Sequence, residues 1–372
     1  MAQRLQRLRE RTNGYTLTPR QYVLVAYVAL GALTLIVLTG AAVRLTDSGL
    51  GCPQWPKCYG KLYPPLGTHA VIEFSNRLIT VPVSLAAGAA WVGALRRRPY
   101  RRDLVWLGGL LPLGVLGQAV LGGLTVRGKL DYGWVMGHFA LSMLILVAAA
   151  ALAWRAAYEP DRSRETLAFG AGRFGDAGRN GDARQRRAST GFGGASVSPI
   201  GPRFGQRPRS GDRTLIWSTR ALVALGALTI FAGTAATAAG PHAGGSPGER
   251  INRLDFDGRG TMDFVIHRHA EIALAFGLFA VLVWWLARRR AADPLVRRAA
   301  TVLCALIALQ GVVGIDQYET HLPTELVWIH VALACATWLA ALWTAYAAGR
   351  FSERSAVARE GLETAPPERI SV

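Results

Sequence analysis

Apolar residues fall in eight long runs, at about 22–43, 71–95, 104–126, 134–157, 217–240, 262–287, 299–315 and 325–347. Short connections between them alternate with polar, arginine-rich ones. A helix that crosses a bilayer needs roughly 20 predominantly apolar residues. The pattern therefore predicts an all-α polytopic membrane protein with eight transmembrane helices.

Composition agrees: of 372 residues, 51% are hydrophobic and only 18% charged, against about a quarter charged in soluble domains. The net charge of +18 would suggest a nucleic-acid partner if it covered a soluble surface, but it is confined to particular loops, so nucleic acid is excluded and the lipid bilayer is the expected surroundings. With the N-terminus inside, the inner tails and loops hold 32 of the 42 lysines and arginines, which orients the chain with both termini cytoplasmic in the cell membrane. The N-terminal MAQRLQRLRERTNGYTLTPR is too polar and too long for a cleaved signal, so the first helix is expected to be retained. The organisation is then a tail (1–21), a first four-helix half (22–157), a linker (158–216), a second half (217–347) and a tail (348–372). The linker is rich in Gly, Arg, Ser and Pro, has almost no aliphatic residues and no period, and is expected to be disordered.

The two halves repeat. GTHAVIEFSNR (67–77) lies over GTMDFVIHRHA (260–270), placing Asn76 on His269 at an offset of 193. LGQAVLGG (116–123) matches LQGVVG (309–314), and His138 falls on His330 at an offset of 192. TGAAVRLTDSGLG (39–51) matches AGTAATAAGPHAGG (232–245) more weakly. Two pseudo-symmetric four-helix bundles from a duplication explain this economically.

The repeat concentrates histidines: His138, His269 and His330 sit one or two turns from the outer ends of spans four, six and eight, with Asn76 at the same depth in span two. An intramembrane histidine is costly and by default functional, although a lone one can be a helix–helix hydrogen-bonding group. Two histidines facing across a bundle are the usual means of holding a heme iron axially, so His269 and His330 are read as a bis-histidine heme pair. Zinc would need about four clustered ligands, and no such cluster is visible. His267 lies about 200° round the helix from His269 and is expected to be solvated near the membrane edge.

The first half differs. His138 lacks a histidine partner, since Asn76 takes that place. His69, two turns outward from Asn76, could substitute as a ligand but reads better as an interfacial histidine in solvent. Glu73 lies one turn from Arg77, and two readings stand: a structural i,i+4 pair, or a carboxylate facing the His138 pocket that handles protons. Cys52 and Cys58 share a short proline-constrained loop on the outer, oxidising side, where a structural disulfide or a cycling dithiol is expected. Cys304 and Cys335 read as packing residues.

GAAVRLTDSGLGCPQWPKC, IEFSNRL, LGGLTV, GHFALSM, HAEI and IHVALA together resemble the heme A synthase family across spans one to eight, excluding the linker. The resemblance implies a pseudo-twofold membrane enzyme oxidising a porphyrin methyl of heme O to the formyl of heme A. It implies heme b on His269 and His330, substrate heme on His138, a catalytic Glu73 completed by Arg77 into Glu-x-x-x-Arg, and Cys52 with Cys58 as the outer-loop pair. It also implies an upstream synthase supplying heme O and an unidentified electron acceptor, and is compatible with a homo-oligomer. Asn76 departs from the family, where many members have histidine, and the linker is longer than expected.

Two other classes compete. A heme-b electron carrier suits the second half but gives no task to His138, Glu73 or the paired cysteines. A transporter with duplicated halves would show Gly/Pro breaks at matching mid-span positions; Pro82 and Pro112 are not at matching positions.

Overall fold

Each helix opens one to five residues before its apolar run, and three of them start at a polar capping side chain. The computed structural model describes residues 15–61, 63–158, 212–245, 249–256 and 260–363, with side chains as far as residue 349. The helices are α1 (Pro19–Leu45), α2 (Thr68–Arg96), α3 (Arg102–Arg127), α4 (Tyr132–Ala157), α5 (Arg213–Ala239), α6 (Thr261–Arg289), α7 (Pro294–Glu319) and α8 (Thr324–Glu363). At α1, Thr18 accepts from the Gln21 amide and Gln21 reaches back to Thr18, with Pro19 at the first helical position. Asp212 and Asp293 cap α5 and α7 in the same way, accepting from the first free amides. Residues 1–14, 159–211 and 364–372 lie outside the described residues, and with them most of the expected disordered linker and parts of both tails.

All eight helices are long and apolar enough to cross a bilayer, α8 over Thr324–Gly349, so the chain is a multi-pass membrane protein, all-helical among the described residues. Helices α1 to α4 pack in a ring that closes α4 onto α1, which puts α2 and α4 on a diagonal; α5 to α8 repeat the arrangement, with α6 and α8 diagonal. The halves meet where α8 packs on α1 and α4, and α4 on α5. Under the repeat, α1 corresponds to α5 and α4 to α8, so these contacts form a pseudo-twofold set.

The inner seams are built from small residues: Ala26, Ala29, Ala87, Ala90, Ala94, Ala149, Ala150 and Ala153 are buried, whereas Leu24, Leu35, Leu78, Leu85 and Leu274 are exposed. In lipid, leucine gains little by moving inward, so helices associate by close approach and hydrogen bonding, which alanine and glycine permit. Buried polar groups have partners where they hold helices together: Tyr22 donates to the Ala90 carbonyl at 3.1 Å. Cys335 lies in this core with Trp338, and Cys304 is half-buried; both are free thiols.

Candidate functional site

The diagonal placement of α6 and α8 brings the rings of His269 and His330 edge to face, with ring centres 6.2 Å apart and planes at 76°. His269 Nδ1 lies 3.1 Å from the Thr229 carbonyl on α5. His330 Nδ1 is buried without a partner, as is His138 Nδ1 in the first half. A buried, unpartnered polar atom is uncommon in a native fold and asks for an explanation.

Each of these rings sits over a glycine. A Cβ on Gly233 would stand 3.0 Å from His269 Cε1, one on Gly314 3.2 Å from His330 Cε1, and one on Gly122 3.4 Å from His138 Cε1. Gly122 and Gly314 are repeat equivalents, and so are two glutamines beside them. Gln118 donates its amide to the His138 carbonyl and Gln310 to the His330 carbonyl, each at 3.0 Å. Gln118 also donates to Ser142 Oγ at 2.7 Å. In both halves the glutamine Oε1 is buried and unpaired. Reading along the chain missed these glycines and glutamines; the match of LGQAVLGG with LQGVVG was the signal that could have found them.

Asn76 occupies on α2 the register of His269 on α6. Its Oδ1 accepts from Thr39 Oγ1 on α1 at 2.8 Å. The glycine equivalent to Gly233 is Gly40, and a Cβ there would meet nothing within 4 Å.

Glu73 is buried, at 5% exposure. Its Oε2 accepts the Cys52 amide at 2.6 Å, and Oε1 pairs with the Arg77 guanidinium. Arg77 in turn donates to the Cys52 and Gln54 carbonyls, both at 2.9 Å. Its described hydrogen bonds thus run to Arg77 and the outer loop rather than to His138. Cys52 and Cys58 are joined as a disulfide with Cα atoms 4.7 Å apart, both wholly buried and packed with Ala70 and Phe74. Gly51 is required here, since a Cβ would stand 2.3 Å from the His69 carbonyl oxygen. His69 itself is half-buried, with Nδ1 3.1 Å from Ser48 Oγ, rather than standing in solvent. His267 is exposed near the outer end of α6, as expected, with Nδ1 2.6 Å from the Asp263 carbonyl. Trp55 lies over Gly123, next to the seat of His138, so the disulfide loop reaches the top of the first bundle.

The two weakly matching outer segments touch. The Gly49 amide donates to the Gly244 carbonyl at 2.8 Å, and Arg44 donates to the carbonyls of His242 and Thr237 at 2.8 and 3.2 Å. Among the described residues no group of three or more His, Cys, Asp and Glu side chains could hold a metal ion. The chemistry open to the second half is therefore that of two opposed imidazoles. Ring centres about 6 Å apart match one ion held between facing nitrogens, given metal–imidazole bonds of about 2 Å.

Comparison with known proteins gives a consistent picture. Residues 23–71 match a family model described as cytochrome oxidase assembly protein. A heme A synthase of Lysinibacillus sphaericus is 38% identical over 140 residues, covering 37% of this chain and 45% of that protein. A heme A synthase of Bacillus pumilus is 30% identical over 146 residues, again spanning less than half (47%) of the relative's length. Over a longer stretch, a heme A synthase of Shewanella oneidensis is 26% identical across 317 residues, 78% of this chain and 85% of that one. A protoheme IX farnesyltransferase of Thermus thermophilus is 27% identical over 320 residues, 82% of this chain but only 45% of that protein.

Proposed function

Because the chain is related to the heme A synthase family, we propose that it is a heme A synthase, oxidising one methyl group of heme O to the formyl group of heme A. The observation that carries the reading is the pair His269 and His330, seated on Gly233 and Gly314 with ring centres 6.2 Å apart, which would be able to hold one iron. In this reading His269 and His330 hold heme b, which when bound takes up and passes on electrons. The contact of His269 Nδ1 with the Thr229 carbonyl and the glycine seats fit that role, since a ligand ring needs both a fixed orientation and room.

His138 is the matching group in the first half and would hold the substrate heme. Converting a methyl group to a formyl group consumes one water and releases four protons and four electrons, so a proton acceptor is needed near the reacting carbon. Glu73 is the one carboxylate of α2 and is buried, and Arg77 holds it in place while tethering the disulfide loop. Trp55 of the loop packs on Gly123, beside the glycine under His138, where it would limit water entry. Gln118 and Gln310 hold the backbone of His138 and His330 in matching positions and act as positioning residues.

The excess of basic residues in alternate loops supports both termini lying in the cytoplasm and the disulfide loop on the outer face of the cell membrane. Heme O would come from a farnesylating synthase, the activity named for the Thermus thermophilus relative, more than half of which lies outside the match. The electrons pass to an acceptor outside the chain.

The test is pigment extracted from membranes expressing the chain, with and without a heme O supplier, read as pyridine hemochromes. A formyl-heme band appearing only when both are present is expected. Heme b without any heme A, in the presence of heme O, would leave an electron carrier instead.

A further inference from the structure

The geometry points to a small-ligand site in the first half: a position on the Asn76 side of the pocket, opposite His138, that takes a diatomic, hydrogen-bond-accepting ligand of the dioxygen class. It rests on the reading of His138 as the ligand of the substrate heme. What carries it is a mismatch within the repeat. Three of the four equivalent seats pair a glycine with an imidazole, at Gly122, Gly233 and Gly314. The fourth does not. Around Gly233 the His269 ring supplies three atoms within 3.5 Å, whereas around its equivalent, Gly40, a Cβ would meet nothing within 4 Å.

Asn76 does not fill that gap as a ligand would. Amide carbonyls suit hard ions such as calcium or manganese, whereas imidazole suits iron. The only amide oxygen is moreover engaged by Thr39 at 2.8 Å. With Oδ1 so occupied, the Asn76 Nδ2 group is the end left to donate. A half-buried amide donor beside an open seat, at the register that holds the second histidine in the other half, is the arrangement that favours binding of an oxygen-bearing molecule. Steric access and a hydrogen-bond donor on the side opposite the axial ligand decide whether an iron site binds dioxygen or only carries electrons. The second half has neither, since His269 and His330 close both sides of its site. One duplicated bundle thus yields an electron-carrying half and a ligand-binding half, and the change of histidine to asparagine makes the difference.

The experiment uses the full-length chain in detergent, saturated with hemin alone, its heme counted by pyridine hemochrome, then reduced and titrated with carbon monoxide. Two hemes per chain are expected, one of which binds carbon monoxide. Asn76→His should keep two hemes but lower carbon monoxide binding at least tenfold and convert the high-spin fraction to low spin. Gly40→Leu, which fills the empty seat while keeping Asn76, should weaken carbon monoxide binding at least tenfold without loss of heme; it decides the matter if Asn76→His fails to hold heme. Two hemes with no carbon monoxide binding, or binding unchanged in a variant that keeps both hemes, overturns the inference while leaving the two-heme reading intact. Uptake of a single heme overturns that reading, and the inference with it.

Discussion

Glu73 can be an anchor for Arg77 and the disulfide loop, or a proton acceptor that is also anchored there. Its two oxygens take the Cys52 amide and the Arg77 guanidinium, so as a structural group it is already satisfied. A glutamine in its place keeps the shape and one acceptor oxygen for Cys52, and loses the charge. If Glu73 only anchored the loop, Glu73→Gln would cost little turnover. As a proton acceptor it would contribute about 10²–10⁴-fold. The expected outcome is a folded protein with a normal heme b spectrum, heme O or a hydroxylated heme accumulating, and heme A formation reduced by about two orders of magnitude or more, read by chromatography of extracted hemes. Glu73→Gln working at the wild-type rate would reduce the residue to Arg77's structural partner.

Helix starts are where local chemistry reaches furthest. Helix α5 opens at Arg213, inside the stretch that the sequence assigned to the linker, and Asp212 caps it by accepting from Thr214 and Leu215. The same carboxylate takes Arg290, just past the end of α6, at 2.8 and 2.6 Å, which ties the inner ends of two neighbouring helices. Burial raises the Asp212 carboxyl, but Arg290 and the two capping amides outweigh it and hold the group below its ordinary range. A group whose folded pKa is depressed contributes stability above its unfolded pKa and loses it as pH falls through the folded one. Asp212→Ala is therefore expected to cost about 1 kcal/mol near neutral pH, seen as a lower thermal midpoint in detergent. The gap between the two proteins should begin to narrow below about pH 4, where the carboxyl of the unfolded chain takes up a proton, and go on narrowing as pH falls through the lower folded value.

The two halves are held by few but specific contacts. Trp338 on α8 is buried and donates to the Met143 carbonyl on α4 at 3.3 Å; Tyr346 donates to the Val147 carbonyl at 3.2 Å, and Trp154 meets Trp343 edge-on at 4.8 Å. On the outer side, Arg44 and Gly49 pin the first outer segment to the second. Since lipid offers no hydrophobic drive between helices, shape and hydrogen bonds must supply the adhesion. Trp338→Ala opens a cavity at this seam, and large-to-small changes of this kind cost about 3–5 kcal/mol in soluble cores. We expect heme b to be released at a distinctly lower temperature than in the wild type, with both halves losing helix content in a single transition. Two separated transitions would show instead that each bundle stands without the other.

The eight spans, the duplication and the equivalent depth of Asn76, His138, His269 and His330 could all be read along the chain. These are one-dimensional properties: a bilayer demands a fixed length of apolar helix with every backbone group paired within it, and a repeat keeps its register whatever the packing. The pairing of Cys52 with Cys58 was legible for a similar reason, because six positions of separation leave few alternatives. Other features arise only between residues tens or hundreds of positions apart. That His269 meets His330 rests on α6 and α8 being diagonal and on Gly233 and Gly314 leaving room for the rings. That Glu73 bonds to Cys52, that Thr39 takes the oxygen of Asn76, and that Gly40 leaves a seat empty rest on how closely α1, α2 and the loop approach. Distances across a bundle depend on the small residues that let helix axes come together, and no period along one helix encodes the face its neighbour presents.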